Sequence, residues 1–293
     1  MSAKGHAVVS KPITCPRQRR LRGLLKDVMP PIALRAFRKL ANRDVIRFRH
    51  GYNSWEEASI ASSGYDTDEI IGKVSRAARL VYRGEAVYER DGVLFDEIEY
   101  SWPLLSSLLL VAAERESLRV IDFGGGLGNT FQQNRKFFKH IQHKISWKSV
   151  EQKSFVEIGS KEFSNKHLAF FPTITAACGE GVDAILFGSS LCYVAKPYDI
   201  LEETLKAKPG YVIFDRTPIT SAPTDTFAVQ IVPSSIYKAE YAIRNFNQSN
   251  LIRPFERSYE LIEEWVCAVQ PDPSSLWIGF ILKNKDINAG AAS

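Results

Sequence analysis

An aspartate and three glycines at alternate positions, Asp122, Gly124, Gly126 and Gly128, stand inside RVIDFGGGLGNTF (residues 119–131). Glycines at such a turn allow positive φ and let the backbone come close to a ligand. A dinucleotide loop needs G-x-G-x-x-G, but counting from Gly124 puts Asn129 at the third glycine, and no other register repairs this. A carboxylate just before the loop suits a ligand with a positive amino group better than a pyrophosphate. A second acid, Glu151 in SVEQ, follows Gly128 by 23 residues, close to the spacing of about 20 at which an acid meets a ribose diol. Amino acid at one end and ribose at the other describe S-adenosylmethionine.

Such a loop has to follow a strand and open a helix. From about residue 117 short apolar runs alternate with amphipathic stretches, the pattern of a mostly parallel sheet covered by helices. Strands are expected at 118–122, 145–151, 168–171, 183–189 and 211–215, with helices over 129–143, 152–163 and 197–208. EEWVCAVQ and LWIGFILKN read as two late strands joined by PDPSS, which makes the end of the sheet antiparallel. The expected fold is therefore α/β and Rossmann-like. Residues 51–116 read as a helical lead-in or lid, and a long polar and aromatic insertion, 216–258, follows strand five.

In open α/β sheets ligands bind beyond the carboxyl ends of the strands. Strands four and five end there in Ser189, Ser190, Cys192 and Tyr193, and in Asp215, Arg216 and Thr217. Asp215 is the first candidate for a base or acceptor-orienting group and Tyr193 the second, while Arg216 could clamp an anionic acceptor. Asp215 and Arg216 could also simply pair with each other. None of the five histidines, His6, His50, His140, His143 and His167, falls at a strand's carboxyl end, so a histidine base would require His50 to fold over from the lead-in. The aromatic residues Tyr237, Tyr241 and Phe246 of the insertion read either as its core or as a stacking platform.

The net charge of +5 is unevenly spread: residues 1–50 hold 13 Lys/Arg against Asp27 and Asp44. Residues 1–20 read as a disordered tail and 21–50 as a basic amphipathic segment, with Leu34, Phe37, Ala41, Val45 and Phe48 at helical spacing. That composition suits either peripheral contact with anionic membrane or packing on the main domain. Basic charge is not interleaved with aromatics in a nucleic-acid module. No apolar stretch is long enough to span a bilayer or shaped like a secretory signal, and Cys15, Cys178, Cys192 and Cys267 form neither a disulfide framework nor a metal site. A cytoplasmic protein, peripheral at the inner face of the membrane in one version, is expected, with no metal.

IDFGGGLG resembles the first cofactor motif of the class I S-adenosylmethionine-dependent methyltransferases. More narrowly, DFGGGLGNT, VEQKSFVEIG, SSLCYVAKPYDILEE, YVIFDRTPIT and VQIVPSSIY together resemble a bacterial family of methyltransferases linked to polysaccharide and cell-envelope gene clusters, over roughly residues 50–283. The resemblance implies S-adenosyl-L-methionine as cofactor, held by Asp122, Gly124, Gly126, Gly128, Glu151, Gln152 and Ser189. It implies approach of adenine near Phe171, although no acid follows that residue. The activity expected is O-methylation of a sugar, glycan or lipid-linked envelope intermediate, in polysaccharide biosynthesis. The alternatives are a nicotinamide-dependent oxidoreductase and a non-catalytic module that binds cofactor or partner.

Overall fold

The computed structural model describes residues 46–63, 68–179, 181–234, 236 and 239–289. The amino-terminal part runs β1 (Arg47–Tyr52), α1 (Trp55–Ile60), α2 (Asp68–Tyr82), the hairpin β2 (Tyr88–Arg90) and β3 (Val93–Phe95), and α3 (Trp102–Arg115). The central part alternates β4 (Leu118–Phe123), α4 (Asn129–Asn134), β5 (Ile145–Val150), α5 (Lys153–Glu162), β6 (Leu168–Phe171), α6 (Ile174–Cys178), β7 (Ala184–Gly188), α7 (Pro197–Ala207) and β8 (Tyr211–Thr220). β9 (Thr226–Val232), β10 (Ala239–Asn247), α8 (Gln248–Ile252), β11 (Tyr259–Val266), β12 (Leu276–Asn284) and α9 (Asp286–Ala289) follow.

Strands β6, β5, β4, β7 and β8 lie side by side in that order and run parallel. β12 runs antiparallel along β8, and β11 antiparallel along β12. This is the sheet of the class I methyltransferase fold. Its strand order reverses at β4, so the glycines after β4 occupy the switch point.

Both faces of the sheet are covered, which is why its strands read as continuous apolar runs. Val120, Leu186 and Ile213 pack into one core, while their neighbours Ile121, Ile185, Val212 and Phe214 pack into the other. Period-two alternation thus splits each strand between two cores.

β8 is twice the length expected, and the extension builds a cap. β12 pairs with β8 from Tyr211 to Ile219 and so fills one whole edge. β7 stops at Asp215, and β10 takes up the other edge at Ile219 and Thr220. The sheet β10–β9–β1 therefore stands beyond the carboxyl end of β7. α1 covers its outer side through Ala58, Val229 and Ala242.

Several expectations need correcting. The lead-in is not wholly helical, because residues 88–95 form the β2–β3 hairpin. The helix expected over 129–143 is α4 followed by a 3-10 turn, Arg135–Lys144. Phe48 lies in β1, so the helical stripe does not reach it, and the rest of residues 1–45, with Tyr237, lies outside the described residues. The insertion holds β9, β10 and α8, with Tyr241 and Phe246 buried in core. β11 begins four residues before the strand expected at Glu263.

Candidate active site

The glycine loop is a main-chain cradle. Gly124, Gly126 and Gly128 have φ of 69°, 56° and 87°, where side chains are strained. A Cβ on Gly124 would lie 2.3 Å from the Cβ of Ser190, and one on Gly125 would lie 2.7 Å from the Asp122 carboxylate. The loop is sewn to β5: Gly124 N–H donates to Val150 O at 2.8 Å and the Ser149 hydroxyl donates to Gly126 O at 3.0 Å.

Glu151 sits where β5 ends. One of its oxygens accepts from Gly126 N–H and the other from Gln152 N–H, each at 3.0 Å. Burial nevertheless raises its pKa, and those two donors only partly offset the effect. Gln152 is the N-cap of α5, and its side chain is exposed.

Asp122 lies beneath the loop, not beside it. It is buried, and its Oδ2 accepts from the Trp147 indole at 3.1 Å. Burial pushes its pKa up to about 7, and the nearby Glu151 adds to the rise against the Trp147 bond. On the amino-terminal side, the Tyr82 hydroxyl of α2 donates to Leu127 O at 3.0 Å. Glu89 of the hairpin is also buried, and burial pushes it up to about 7 although Gly92 N–H donates to it at 3.0 Å. Three acids whose pKa values are raised by burial therefore gather around one loop.

The ends of β7 and β8 form the facing wall. Two residues of β8, Asp215 and Arg216, stand opposite the single residue Gly279 of β12, which is a β-bulge. Arg216 has φ of 53° there, and Ser189, next to it at the end of β7, has φ of 62°. Left-handed backbone at non-glycine residues costs about 1–3 kcal/mol each and clusters at functional sites. Ser189 N–H donates to Asp215 O at 2.9 Å, which ties Ser189 to the residue just before Arg216. Ser190 Oγ, beside Gly124, is buried without a hydrogen-bond partner.

The fully buried Asp215 does not face the crevice. Its Oδ1 accepts from Ser101 Oγ at 3.1 Å and from Trp265 Nε1 at 3.3 Å, while Oδ2 pairs with Arg216 Nη1 at 2.9 Å. A Cβ on Gly279 would strike the Trp265 ring at 2.3 Å, so that glycine makes room for the indole that reaches Asp215. A carboxylate so enclosed presents no solvent-accessible oxygen to an acceptor. Arg216, with its side chain 30% exposed, is the reachable member of the pair.

Tyr193 donates to Gln230 Oε1 of β9 at 2.9 Å and stands edge-on to Tyr241 of β10 at 5.8 Å. It thereby joins the end of β7 to the cap. Cys192 is buried, and burial pushes its thiol pKa up, so it is inert. His50 does not fold over the strand ends: its Nε2 pairs with the buried Asp272 at 3.3 Å.

Sequence reasoning did not find Tyr82, Glu89, Ser101, Trp147 or Trp265. Each reaches the site by tertiary packing, and no local motif announces it. The Gly279 position inside a strand was the one available signal, since an interior strand glycine marks a bulge or a close approach.

No family model and no curated protein matches the chain. Solved structures do match. The N-terminal domain of EvdMO1, solved in the presence of SAH and D-fucose, is 15% identical, with 75% of this chain and 98% of that one covered at a TM-score of 0.45. Magnesium protoporphyrin IX methyltransferase from Synechocystis is 9% identical, with 74% and 100% covered at 0.43. The Burkholderia thailandensis 1,6-didemethyltoxoflavin-N1-methyltransferase is 12% identical, with 76% and 92% covered at 0.39. The fold assignment rests on the strand order of this chain.

Proposed function

We propose that this chain transfers a methyl group from S-adenosylmethionine to an oxygen of a sugar, glycan or lipid-linked envelope intermediate. The observation that carries the cofactor half is the Gly124–Gly128 cradle at the switch point, with the buried Asp122 and the partly buried Glu151 around it, both raised in pKa. A ligand that brings an ammonium and a sulfonium supplies the missing positive charge. The unpartnered hydroxyl of Ser190 gives the same ligand a polar contact. Asp122 acts from beneath the loop, through its field, while the loop amides and Ser189 line the ligand. Glu151, with Gln152, meets the ribose.

Bound there, S-adenosylmethionine supplies a methyl group activated by its cationic sulfur. The protein's share is then to position a nucleophile in line and to exclude water. The β9–β10 cap, joined to the end of β7 by Tyr193, closes that side. Arg216 holds an anionic part of the acceptor, and Asp215 positions Arg216 through the pair at 2.9 Å. The basic amino-terminal residues motivate the lipid-linked version of the acceptor.

Methyl-labelled S-adenosylmethionine offered with neutral and acidic oligosaccharides should give saccharide O-methyl product. Arg216→Ala should lose about tenfold or more in kcat/KM on the acidic acceptors and less on the neutral ones. Label that enters only nitrogen atoms, or only non-saccharide acceptors, would overturn the acceptor half. Co-sedimentation with anionic vesicles at low salt that survives deletion of residues 1–45 would overturn the membrane-linked version.

A further inference from the structure

A groove of about 660 Å³ has no residue of the glycine loop in its lining. Tyr198, Thr224, Asp225, Phe227, Asn250 and Arg253 line it. Tyr198 opens α7, which starts beyond the carboxyl end of β7, so the groove is at the ligand-binding end of the sheet.

Its floor is built and rigid. Asp225 accepts from the Tyr198 hydroxyl at 2.9 Å, from Asn247 N–H at 2.9 Å and from Arg244 Nη1 at 3.1 Å. Arg244 is held in turn by Ala195 O at 3.1 Å and lies over the Trp55 and Phe227 rings, 5.6 and 4.9 Å from their centroids. The Asn247 side chain caps α8 through Asn250 N–H at 3.1 Å, which fixes the turn that carries Asn250 and Arg253. The Tyr198 ring is thereby held by its hydroxyl and the Phe227 ring by Arg244.

Its rim is unspent. Among the described residues the Arg253 guanidinium, which is exposed, makes no hydrogen bond or ion pair, and the side chains of Asn250 and Thr224 make no hydrogen bond. Fixed aromatic faces beside free amide, hydroxyl and guanidinium donors suit a pyranose, whose apolar face stacks and whose hydroxyls need both donors and acceptors. The charge of Asp225 is already met by Arg244, so Arg253 is the uncompensated charge and selects an anion.

We propose that this groove binds an acidic saccharide unit, with its carboxylate on Arg253 and its ring face on Tyr198 or Phe227. The inference stands whether or not the glycine loop holds S-adenosylmethionine. Titration of the full chain with trigalacturonate, maltotriose and uridine monophosphate tests it, read by calorimetry. Trigalacturonate should bind, maltotriose should bind more weakly, and Arg253→Ala should weaken trigalacturonate about tenfold. Asn250→Ala, a second change at a side chain free of hydrogen bonds, should weaken it about threefold, near the lower range for one neutral hydrogen bond. Both variants should keep wild-type melting and wild-type affinity for S-adenosylhomocysteine, which separates this site from the first. No trigalacturonate binding by the folded wild type, binding indifferent to Arg253→Ala, or tighter binding of uridine monophosphate would each overturn it.

Discussion

Two buried aspartates stand at opposite ends of the same pair of strands, β4 and β7. Asp183, just before β7, accepts from Ser117 Oγ at 2.7 Å, Arg119 N–H at 2.8 Å and Arg119 Nη2 at 2.7 Å, with Arg115 Nε at 3.5 Å. Burial alone would raise its pKa, but the Arg119 and Ser117 donors outweigh it and hold the group below its usual value. Asp122, near the end of β4, takes side-chain bonds from Trp147 and Thr130, but these do not offset burial and the adjacent Glu151, and its pKa is pushed up to about 7. One end of the sheet satisfies its carboxylate, while the other leaves it waiting. The satisfied end reads as stability, and the unsatisfied end as a binding site for positive charge.

That contrast can be broken from either side. The largest effect should come from Asp183→Ala, which strips Arg119, Arg115 and Ser117 of their shared acceptor. Stability in urea should fall by about 3 kcal/mol, while S-adenosylhomocysteine affinity of the remaining folded protein stays near wild type. A small stability change with lost binding would invert the assignment of the two ends.

Gly124→Ala should do the reverse. The new methyl would meet Ser190 Cβ at 2.3 Å on a backbone at φ 69°. Stability should fall by only about 1–2 kcal/mol, but cofactor binding should weaken well beyond tenfold, because the cradle itself is displaced. Near-normal binding would mean that the loop holds only its own turn.

Asp122→Asn sharpens the comparison through pH. Between the ordinary carboxylate range and about 7, folded wild type keeps a proton that the unfolded chain has released. Stability from this group is therefore full at low pH, falls as pH rises through that window, and levels off above about 7. The Asn variant should lack that slope and gain on wild type by more than about 1 kcal/mol at pH 8, seen in melting curves across pH. Equal slopes would show that Asp122 is not the starved carboxylate. The smallest effect is expected of Tyr82→Phe, which removes the bond to Leu127 O and should cost about 1 kcal/mol in stability, read from the urea midpoint. Unchanged stability would mean that this bond does not hold the loop.

The same division explains what the sequence could disclose. β4 and β6 lie within a residue of their expected bounds, and the glycine motif reads directly, because periodicity and turn chemistry are local. Strand β8 ran five residues past its expected end, since RTPIT carries no strong strand pattern and its pairing with β10 and β12 is set by partners far along the chain. The three-residue strands β2 and β3 were too short to show any period among helical neighbours. Asp215 was legible as a carboxylate at a strand end, but its partners Ser101 and Trp265, which occupy Oδ1, lie 114 and 50 residues away and no local pattern announces them.

The most direct test of the central claim is calorimetric titration of wild type, Asp122→Ala and Glu151→Ala with S-adenosylhomocysteine. Micromolar binding by wild type, lost by both variants while each keeps a cooperative melt, is the result expected. No binding by folded wild type, or undiminished binding by both variants, would contradict the reading of the starved end as a cofactor site.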